Sequence, residues 1–324
     1  MVYLIAEVGV NHRGNLQSAL EHLHAAKNAG ADAVKFQTFR AGELASVKHA
    51  KDQANFFASV QLEFPEFAQL FREAGRVGVD FLSTPFDQEA VDFLDALPVR
   101  AFKVASGDLT NHPLLAHIAR TKKPIYLSTG MSDLQEVAAA IAVCRRNGNE
   151  ELTLLHCVSL YPTPPERANL RAITTLAESF RLPVGYSDHT IGNEACLAAV
   201  ALGATVVEKH FTLNRQEAGP DIALSATPDE LAALRHSIDI IAAALGDGRK
   251  TPQEGEAAMA ELARRSVFAV RALKAGQLLA PEMLTCRRPG TGIPASRFAE
   301  LVGRRLKADV PAGEMLAWDM IEEA

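Results

Sequence analysis

Two lysines lie inside short apolar runs of the sequence, where a charged side chain is unusual. Lys35 and Lys103 would each be costly to bury unless a counter-charge or a bound anion accompanied them. Hydroxyls at the ends of similar runs could complete a cradle for a phosphate or a carboxylate, namely those of Ser106, Ser128 and Ser187. Two alternatives stay open: an ion pair between each lysine and a strand carboxylate such as Glu7, and a Schiff-base lysine, which would leave the serines unexplained.

Two histidines follow the last two of these apolar runs. If the runs are neighbouring strands, His189 and His210 lie close enough to share a metal ion, and neutral imidazole suits Mn, Fe, Co or Zn. Two protein ligands leave positions open for substrate oxygens or water. Taken singly, each histidine is also compatible with a structural or a hydrogen-bonding catalytic role. Glu7 is a candidate general base or orienting carboxylate, with a salt bridge to a lysine as its alternative role.

These residues need strands to position them. Nearly continuous apolar runs predict eight parallel strands covered on both faces, at residues 3–10, 33–37, 79–83, 101–105, 124–127, 152–158, 183–186 and 205–208. Helical spacing separates them, for example at 15–29, 193–202 and 228–245, and a capping-box pattern at Ser132 and Gln135 predicts the start of another helix. Repeated strand–helix units predict an α/β fold, a (β/α)₈ TIM barrel whose strand ends converge on one site. The alternative is an open doubly wound sheet, although the first turn lacks a GxGxxG pattern.

Towards its end the sequence loses its helical spacing, and short β-like pieces alternate with Gly and Pro turns. We predict a TIM-barrel catalytic domain over residues 1–246, a linker over 247–263 and a small β-rich domain over 264–324, with β-like pieces at 266–270 and 313–316. A unit of about 60 residues has a thin core and is expected to dock on something larger. Within the barrel, the long connection at 38–63 is expected to be a lid or a packed excursion.

The amino-acid composition indicates which kinds of molecule this protein is expected to bind. The 324 residues include 33 Lys+Arg and 39 Asp+Glu, a net charge of −6, which argues against a dedicated nucleic-acid or anionic-membrane surface. The four cysteines include no CxxC pair, as is typical of reduced thiols in the cytoplasm. No apolar run is long enough for a transmembrane helix, and no signal peptide is expected. We therefore expect a cytoplasmic protein with small-molecule substrates.

Ordered motifs extend along nearly the whole chain. In the barrel region they are Ala6-Glu7-x-Gly9-x-Asn11-His12-x-Gly14-Asn15, Ala31-Asp32-Ala33-Val34-Lys35-Phe36-Gln37-Thr38, Leu127-Ser128-Thr129-Gly130-Met131, Tyr161-Pro162-Thr163, Gly185-Tyr186-Ser187-Asp188-His189-Thr190, Glu208-Lys209-His210-Phe211-Thr212 and Gly219-Pro220-Asp221. In the tail they are Ala263-Arg264-Arg265-Ser266 and Arg288-Pro289-Gly290-Thr291-Gly292. These motifs resemble the sialic acid (N-acetylneuraminate) synthase family, which includes legionaminic and pseudaminic acid synthases, and the tail resembles that family's antifreeze-like (SAF) domain.

The resemblance implies a C–C bond-forming transferase. Such an enzyme condenses phosphoenolpyruvate with an N-acetylmannosamine-like sugar and water, and releases phosphate by C–O cleavage. It implies a divalent ion, typically Mn²⁺ with Mg²⁺ or Co²⁺ as alternatives, on His189 and His210. Phosphoenolpyruvate is implied to bind Lys35, Lys103, Ser106, Ser128 and Ser187. Glu7 is implied to act on the attacking water or on an oxocarbenium-like centre. The implied sugar contacts are Gln37, Asp108, Tyr161 and Asp221.

The same resemblance implies a domain-swapped homodimer. Arg288 would reach from the tail of one protomer into the barrel of another, near the N-acyl group of the sugar. Two departures from the family pattern leave the sugar open: Ser159 stands where neuraminate synthases often carry Asn, and Asp108 replaces Glu. The competing functions are a phosphoenolpyruvate-dependent 3-deoxy-ketoacid synthase acting on a phosphorylated aldose, and a non-catalytic carbohydrate-binding protein.

Overall fold

The computed structural model describes residues 2–322 and divides the chain into two compact units, Met1–Gly246 and Asp247–Ala324. The first unit is built on the parallel strands β1–β8, which are Tyr3–Gly9, Ala33–Thr38, Asp80–Pro85, Phe102–Val104, Ile125–Ser128, Leu152–Cys157, Val184–Asp188 and Val206–His210. They pair in the order β3-β2-β1-β8-β7-β6-β5-β4, and β3 and β4, at the two ends of that order, lie side by side. The sheet therefore closes: the predicted TIM barrel is confirmed, and the open-sheet alternative is wrong.

Helices connect the strands and cover most of their outer faces. Helices α1–α10 are Leu16–Asn28, Ala41–Leu44, Lys51–Val60, Phe64–Val77, Gln88–Ala96, His112–Arg120, Leu134–Arg146, Ala172–Phe180, Glu194–Ala201 and Pro228–Leu245. The first begins where the sequence predicts, because the Asn15 side chain accepts a hydrogen bond from the Ser18 amide at 2.9 Å. Within residues 2–322, no helix is both long enough and apolar enough to cross a membrane.

The strands are buried on both faces. In β1, Leu4, Ala6 and Val8 belong to the large apolar core shared with the covering helices, whereas Ile5 belongs to a separate cluster inside the barrel. This division follows from the alternation of side chains along a strand. The near-continuous apolar character of the strands thus has two causes, one on each side of the barrel wall.

Helix α7 begins one residue later than the sequence pattern predicts. Its N-cap is Asp133, whose carboxylate accepts hydrogen bonds from the Gln135 and Glu136 amides at 2.8 and 2.9 Å. The Glu136 carboxylate in turn accepts from the Asp133 amide at 3.0 Å, which completes the capping box. Ser132 instead donates to the Gly130 carbonyl. The predicted Ser132–Gln135 box is wrong because Asp133 and Glu136, one position later, form the reciprocal cap instead.

The connection at 38–63 folds as a packed excursion that contains α2 and α3. Aromatic rings hold it against the barrel: the Phe39 centroid lies 5.4 Å from that of Phe57 on α3 and 6.2 Å from that of Phe86, which follows β3. Phe56 packs on Phe57 at 5.5 Å. These contacts place one side of α3 near the carboxyl ends of the strands.

The second unit has a small apolar core of its own. Strands β9 (Ser266–Ala269) and β10 (Leu284–Arg287) pair antiparallel, and a short helix, α12, spans Phe298–Leu301. The predicted β-like piece at 313–316 is not a regular strand, although Met315 makes an isolated bridge to Phe268. The segment predicted as a linker, 247–263, contains helix α11 (Glu256–Ala263).

The cap assignment at α7 is testable. Replacing Asp133 with Ala removes the acceptor of two helix-end amides and should lower the free energy of unfolding by about 1 kcal/mol, measured by urea denaturation. The matched control is Ser132→Ala, which should change that free energy by less than about 0.5 kcal/mol. A larger loss for the Ser132 variant than for the Asp133 variant would contradict the assignment.

Candidate active site

Inside the barrel, the strands carry apolar residues and then, two positions later, residues that line a more polar region. Ile5, Leu82 and Leu155 belong to the apolar cluster inside the barrel. Because side chains alternate between the faces of a strand, residues two positions later point into the same interior. Together they form what we call the polar layer: Glu7, Lys35, Thr84, Lys103, Ser128, Cys157, Ser187 and Glu208. The polar layer lines a cavity of about 710 Å³ at the carboxyl ends of the strands, where barrel enzymes carry their active sites.

Two carboxylates face the two lysines of the polar layer. Lys35 Nζ lies 2.7 Å from Glu7 Oε2 and 3.7 Å from Glu208 Oε2. Lys103 Nζ lies 3.6 Å from Glu208 Oε1, and all four side chains are buried. The alternative in which each lysine pairs with a strand carboxylate therefore describes part of the site. Glu7 forms an ion pair with Lys35, and Glu208 lies within 4.0 Å of both lysines.

The charges of this network shift the pKa values of its members. Burial raises the pKa of Glu7 to about 7, although Lys35 opposes the shift. Burial would also raise the pKa of Glu208, but the charges of Lys103 and Lys35 lower it below its ordinary value. Burial lowers the pKa of Lys103, because Glu208 compensates its charge only partly. Lys103 is thus the less compensated of the two cations.

Lys103 and Ser128 keep unused hydrogen-bonding capacity. Lys103 Nζ donates to the Val104 carbonyl at 3.3 Å, and its nearest carboxylate oxygen, on Glu208, lies beyond hydrogen-bond distance at 3.6 Å. In the part of the chain that the structure describes, Ser128 Oγ has no hydrogen-bond partner. Buried polar groups without partners are costly, so these atoms indicate a polar ligand in this part of the cavity. The charge of Lys103 favours an anion.

The turn after β5 brings the backbone close to two serine hydroxyls. The Gly130 amide donates to Ser106 Oγ at 3.0 Å. A Cβ atom at Gly130 would lie 2.5 Å from Ser159 Oγ and 2.8 Å from Ser106 Oγ, so a side chain at this position would displace both hydroxyls from their present places. Ser187 is already engaged, because its Oγ donates to Glu208 at 2.9 Å. The residues predicted for the anion cradle therefore line one cavity, and Ser187 contacts the ion network within it.

His189 and His210 meet above the polar layer, with ring centroids 5.2 Å apart. His189 Nδ1 lies 2.7 Å from the Val158 carbonyl oxygen and must donate to it, which leaves Nε2 unprotonated in the neutral ring. Burial lowers the pKa of His210 well below its ordinary range, so that ring stays neutral. Its Nδ1 has no hydrogen-bond partner within residues 2–322. Burial would lower the pKa of His189, but its contacts with Cys157 and the Val158 carbonyl raise that pKa above its ordinary value. Once His189 gives up its proton, the two imidazoles fit a shared divalent ion.

Three of the predicted sugar contacts line the same cavity: Gln37, Tyr161 and Asp221. The Tyr161 ring centroid lies 4.1 Å from that of His189, and Asp221 Oδ2 lies 3.7 Å from His210 Nδ1. Gln37 donates to the Glu7 carboxylate at 3.1 Å. Tyr161 and Asp221 thus flank the histidine pair, whereas Gln37 contacts the polar layer. Within residues 2–322 no group of three or more His, Cys, Asp and Glu side chains forms a fuller metal shell.

Two of the predicted residues are not among the described lining of the cavity. Asp108 lies outside the described lining of the cavity, and its carboxylate accepts a hydrogen bond from Asn111 Nδ2 at 3.0 Å. Its proposed contact with the sugar therefore needs a ligand that extends beyond the cavity. Arg288 belongs to the second unit, where its side chain is exposed.

Comparison with known proteins identifies the family. The NeuB family model matches residues 22–250, and the SAF domain model matches residues 264–322. The chain belongs to the NeuB family. The resemblance drawn from the sequence motifs is thereby confirmed for both parts of the chain.

Relatives of this NeuB-family chain carry the names of acid synthases. It is 44% identical over 336 residues to the N,N'-diacetyllegionaminic acid synthase of Legionella pneumophila, covering 99% of this chain and 94% of that protein. It is 33% identical over 327 residues to a pseudaminic acid synthase of Campylobacter jejuni, covering 97% and 95%. Among solved structures, the N-acetylneuraminic acid synthetase of Leptospira borgpetersenii in complex with citrate is 36% identical, with a TM-score of 0.76, covering 80% of this chain and 90% of that one.

Several residues of the site were not assigned a role from the sequence. Glu208 and Thr84 occupy the polar layer, and counting two residues beyond each inward apolar side chain would have found both. Cys157 would have been found as a cavity residue by the same count. No local signal marks Phe56 and Phe57, because their contribution depends on how the excursion at 38–63 folds back.

The role of Glu208 as the shared counter-charge is testable. Glu208→Gln leaves Lys103 without a carboxylate within 4.0 Å in the described residues, and should lower the free energy of unfolding by about 3–5 kcal/mol in urea denaturation. Inorganic phosphate should restore more stability to this variant than to the parent, because it supplies the missing negative charge. The control is Glu150→Gln on the exposed Arg145–Glu150 pair, worth less than about 1 kcal/mol. An unaltered unfolding midpoint in Glu208→Gln would show that the ion network is unimportant.

Proposed function

We propose that this chain condenses phosphoenolpyruvate with an N-acetylmannosamine-like amino sugar and water, giving a nonulosonic acid and phosphate. In this reaction C3 of phosphoenolpyruvate bonds to the aldehyde carbon of the open-chain sugar, water adds at C2, and the C2–O bond breaks to release phosphate. One observation carries the proposal: an anion-binding region and a pair of imidazoles share a single cavity. The anion-binding region consists of the partly compensated Lys103 ammonium, the unpartnered Ser128 hydroxyl of the described chain, and the contact between the Gly130 amide and Ser106. The NeuB-family match supports it.

Residues of the polar layer, together with Ser106, would bind phosphoenolpyruvate and transfer protons. Lys103, Ser106 and Ser128 offer the donors that suit its phosphate and carboxylate, and Lys35 adds positive charge from the other side of Glu208. Glu7 is placed to manage the water, because a carboxyl with a pKa of about 7 can take up or release a proton near neutral pH.

We further propose that His189 and His210 hold a divalent ion, Mn²⁺ in the first instance, with Mg²⁺ or Co²⁺ as alternatives. The support is a pair of buried imidazole rings whose centroids lie 5.2 Å apart, together with a His210 Nδ1 that has no hydrogen-bond partner among residues 2–322. When bound, the ion would supply Lewis-acid polarisation of the sugar's aldehyde oxygen. Tyr161, packed against His189, shields this region from one side.

For the acceptor we propose a 6-deoxy diacetamido sugar, of the kind that gives a legionaminic-type acid. The cavity has an aromatic wall, which we define as Phe56, Phe57 and Phe86, and such a wall suits methyl and acetyl groups. Among its described lining residues Lys35 and Lys103 are the two cations, both in the polar layer. A second phosphate on the sugar would therefore lack a counter-charge. The higher identity to the legionaminic than to the pseudaminic acid synthase supports the same choice.

Phosphate release is the direct test of the reaction. Purified protein with Mn²⁺ and phosphoenolpyruvate should release phosphate when given the diacetamido sugar, more slowly with N-acetylmannosamine, and not with arabinose 5-phosphate. A chelator, or alanine at His189 or His210, should reduce the rate by at least about 100-fold, because a Lewis acid contributes several kcal/mol. Release with arabinose 5-phosphate alone would favour the phosphorylated-aldose synthase, and release with none of the sugars would favour a binding protein.

Glu7→Gln tests the assignment of proton transfer. The amide keeps the size of the side chain but cannot exchange a proton, so kcat should fall by about 100- to 10,000-fold. Binding of phosphoenolpyruvate, measured by calorimetry, should persist because Lys103 and Ser128 remain. Retention of kcat within a few fold would assign the proton transfer to another group.

We also propose a domain-swapped homodimer in the cytoplasm, in which Arg288 of one protomer contacts the sugar bound by the other. The small core of the second unit and the exposure of Arg288 support a docking role for that unit, and the free thiols suit a reducing compartment. Arg288→Ala should mainly raise the KM for the sugar, whereas the neighbouring exposed Arg287→Ala should not. Unchanged sugar kinetics, or a monomer in analytical ultracentrifugation, would reject the proposal.

A further inference from the structure

A buried ion pair lies behind the two histidines, on the other side of the barrel wall. Lys209 Nζ is 2.7 Å from Asp188 Oδ2, and the side chains are 1% and 0% exposed. Asp188 ends β7, Lys209 lies in β8, and the two residues are register partners. Neither Asp188 nor Lys209 is among the residues that line the cavity. A fully buried ion pair is weak evidence of a gain in stability, since apolar residues of similar size often do as well, so its presence here calls for another explanation.

The lysine ties one strand to the loop that follows the other. Beyond its bond to Asp188, Lys209 Nζ donates to the carbonyls of Thr190 at 2.6 Å and Gly192 at 2.9 Å. These three bonds use all the N–H groups of an ammonium. Both carbonyls belong to the loop that begins at His189. Lys209, the residue immediately before His210, therefore holds the loop that carries the other imidazole.

The Asp188 carboxylate binds groups of the chain both before and after His189. Asp188 Oδ1 accepts from the Tyr186 hydroxyl at 3.0 Å and from the Thr190 amide at 2.8 Å. Its Oδ2 accepts from Thr190 Oγ1 at 3.2 Å as well as from Lys209. The chain from 186 to 190 is thus tied at two points, with His189 between them.

Alternation along the strands couples this ion pair to the cavity. Adjacent residues of a strand point to opposite faces, so an outward Lys209 turns His210 inward, and an outward Asp188 does the same for His189. Holding the two outward side chains together also holds the two strand ends at a fixed distance. The imidazole centroids, carried one residue beyond each partner of the ion pair, lie 5.2 Å apart.

We infer that Asp188 and Lys209 are positioning residues for the metal pair: their ion pair keeps His189 and His210 at a spacing and orientation that one divalent ion can bridge. The inference rests on the proposed function, because it concerns the proposed metal site. A purely structural ion pair would predict a loss of stability alone. A positioning pair also predicts weaker binding of the ion by protein that is still folded.

The experiment measures Mn²⁺ affinity directly, by calorimetry and by the loss of the free-ion electron paramagnetic resonance signal, on the full chain without substrates. Asp188→Asn and Lys209→Met each break the pair, and the double variant removes both charges so that no uncompensated charge stays buried. Each should raise the Kd for Mn²⁺ by about 10- to 100-fold, the usual effect of losing a group that orients a metal ligand. Binding of inorganic phosphate by the Lys103 side of the cavity should not change.

Two further variants separate positioning from stability. Tyr186→Phe removes one hydrogen bond from Asp188 without uncovering a charge, so it should fold and raise the Kd by less than Asp188→Asn does. Asp32→Asn breaks the Asp32–Arg235 pair, 3.3 Å apart near the amino ends of the strands, and should lower stability with no change in the Kd. A Kd for Mn²⁺ equal to the parent's in both Tyr186→Phe and the double variant would overturn the inference.

Failure of the proposed function gives a different pattern. If the parent chain does not bind Mn²⁺, the metal site is wrong and this inference falls with it. If the parent binds Mn²⁺ but releases no phosphate from phosphoenolpyruvate with any sugar, the proposed reaction is wrong. The variants would then still show whether the ion pair positions the two histidines.

Discussion

The structure depends on holding two ammonium groups and two carboxylates together inside a barrel. Moving each charge out of water costs several kcal/mol, and mutual attraction repays the cost only when the geometry is good. Strands meet that demand well, because their register fixes where each side chain points. Glu7 and Lys35 are register partners on β1 and β2, and Glu208 follows on β8, which pairs with β1 from the other side. The apolar cluster below the polar layer excludes water from the floor of the cavity and so strengthens these interactions.

Much of this arrangement was predictable from the sequence, and the reason is periodicity. Buried parallel strands produce long apolar runs, so the eight strands and the barrel could be recognised, and Lys35 and Lys103 stood out within those runs. The rule that barrel strands converge at their carboxyl ends then brought His189 and His210 to one place. The boundary of α7 was missed by one residue, because Ser132 and Asp133 offer overlapping capping patterns and only the folded geometry decides between them.

The remaining parts of the site depend on tertiary contacts that leave no local pattern. The aromatic wall arises because Phe39 and Phe57 pack as the excursion returns to the barrel. The unused capacity of Lys103 depends on a distance of 3.6 Å to Glu208, which no spacing along the chain encodes. Asp108 shows how a turn redirects a side chain at a strand end: its carboxylate accepts a hydrogen bond from Asn111, which the sequence pattern does not indicate, and its contact with the sugar stays a prediction.

The two sides of the cavity are made by different parts of the chain. Every strand contributes to the floor, so a change there disturbs neighbours on both flanks and the charge balance as well. The aromatic wall comes largely from the single excursion between β2 and α4, which is attached to the barrel at its two ends. Selection can therefore remodel that segment in small steps while the floor stays intact. A fold built in this way can diversify the compound it accepts and keep its chemistry constant.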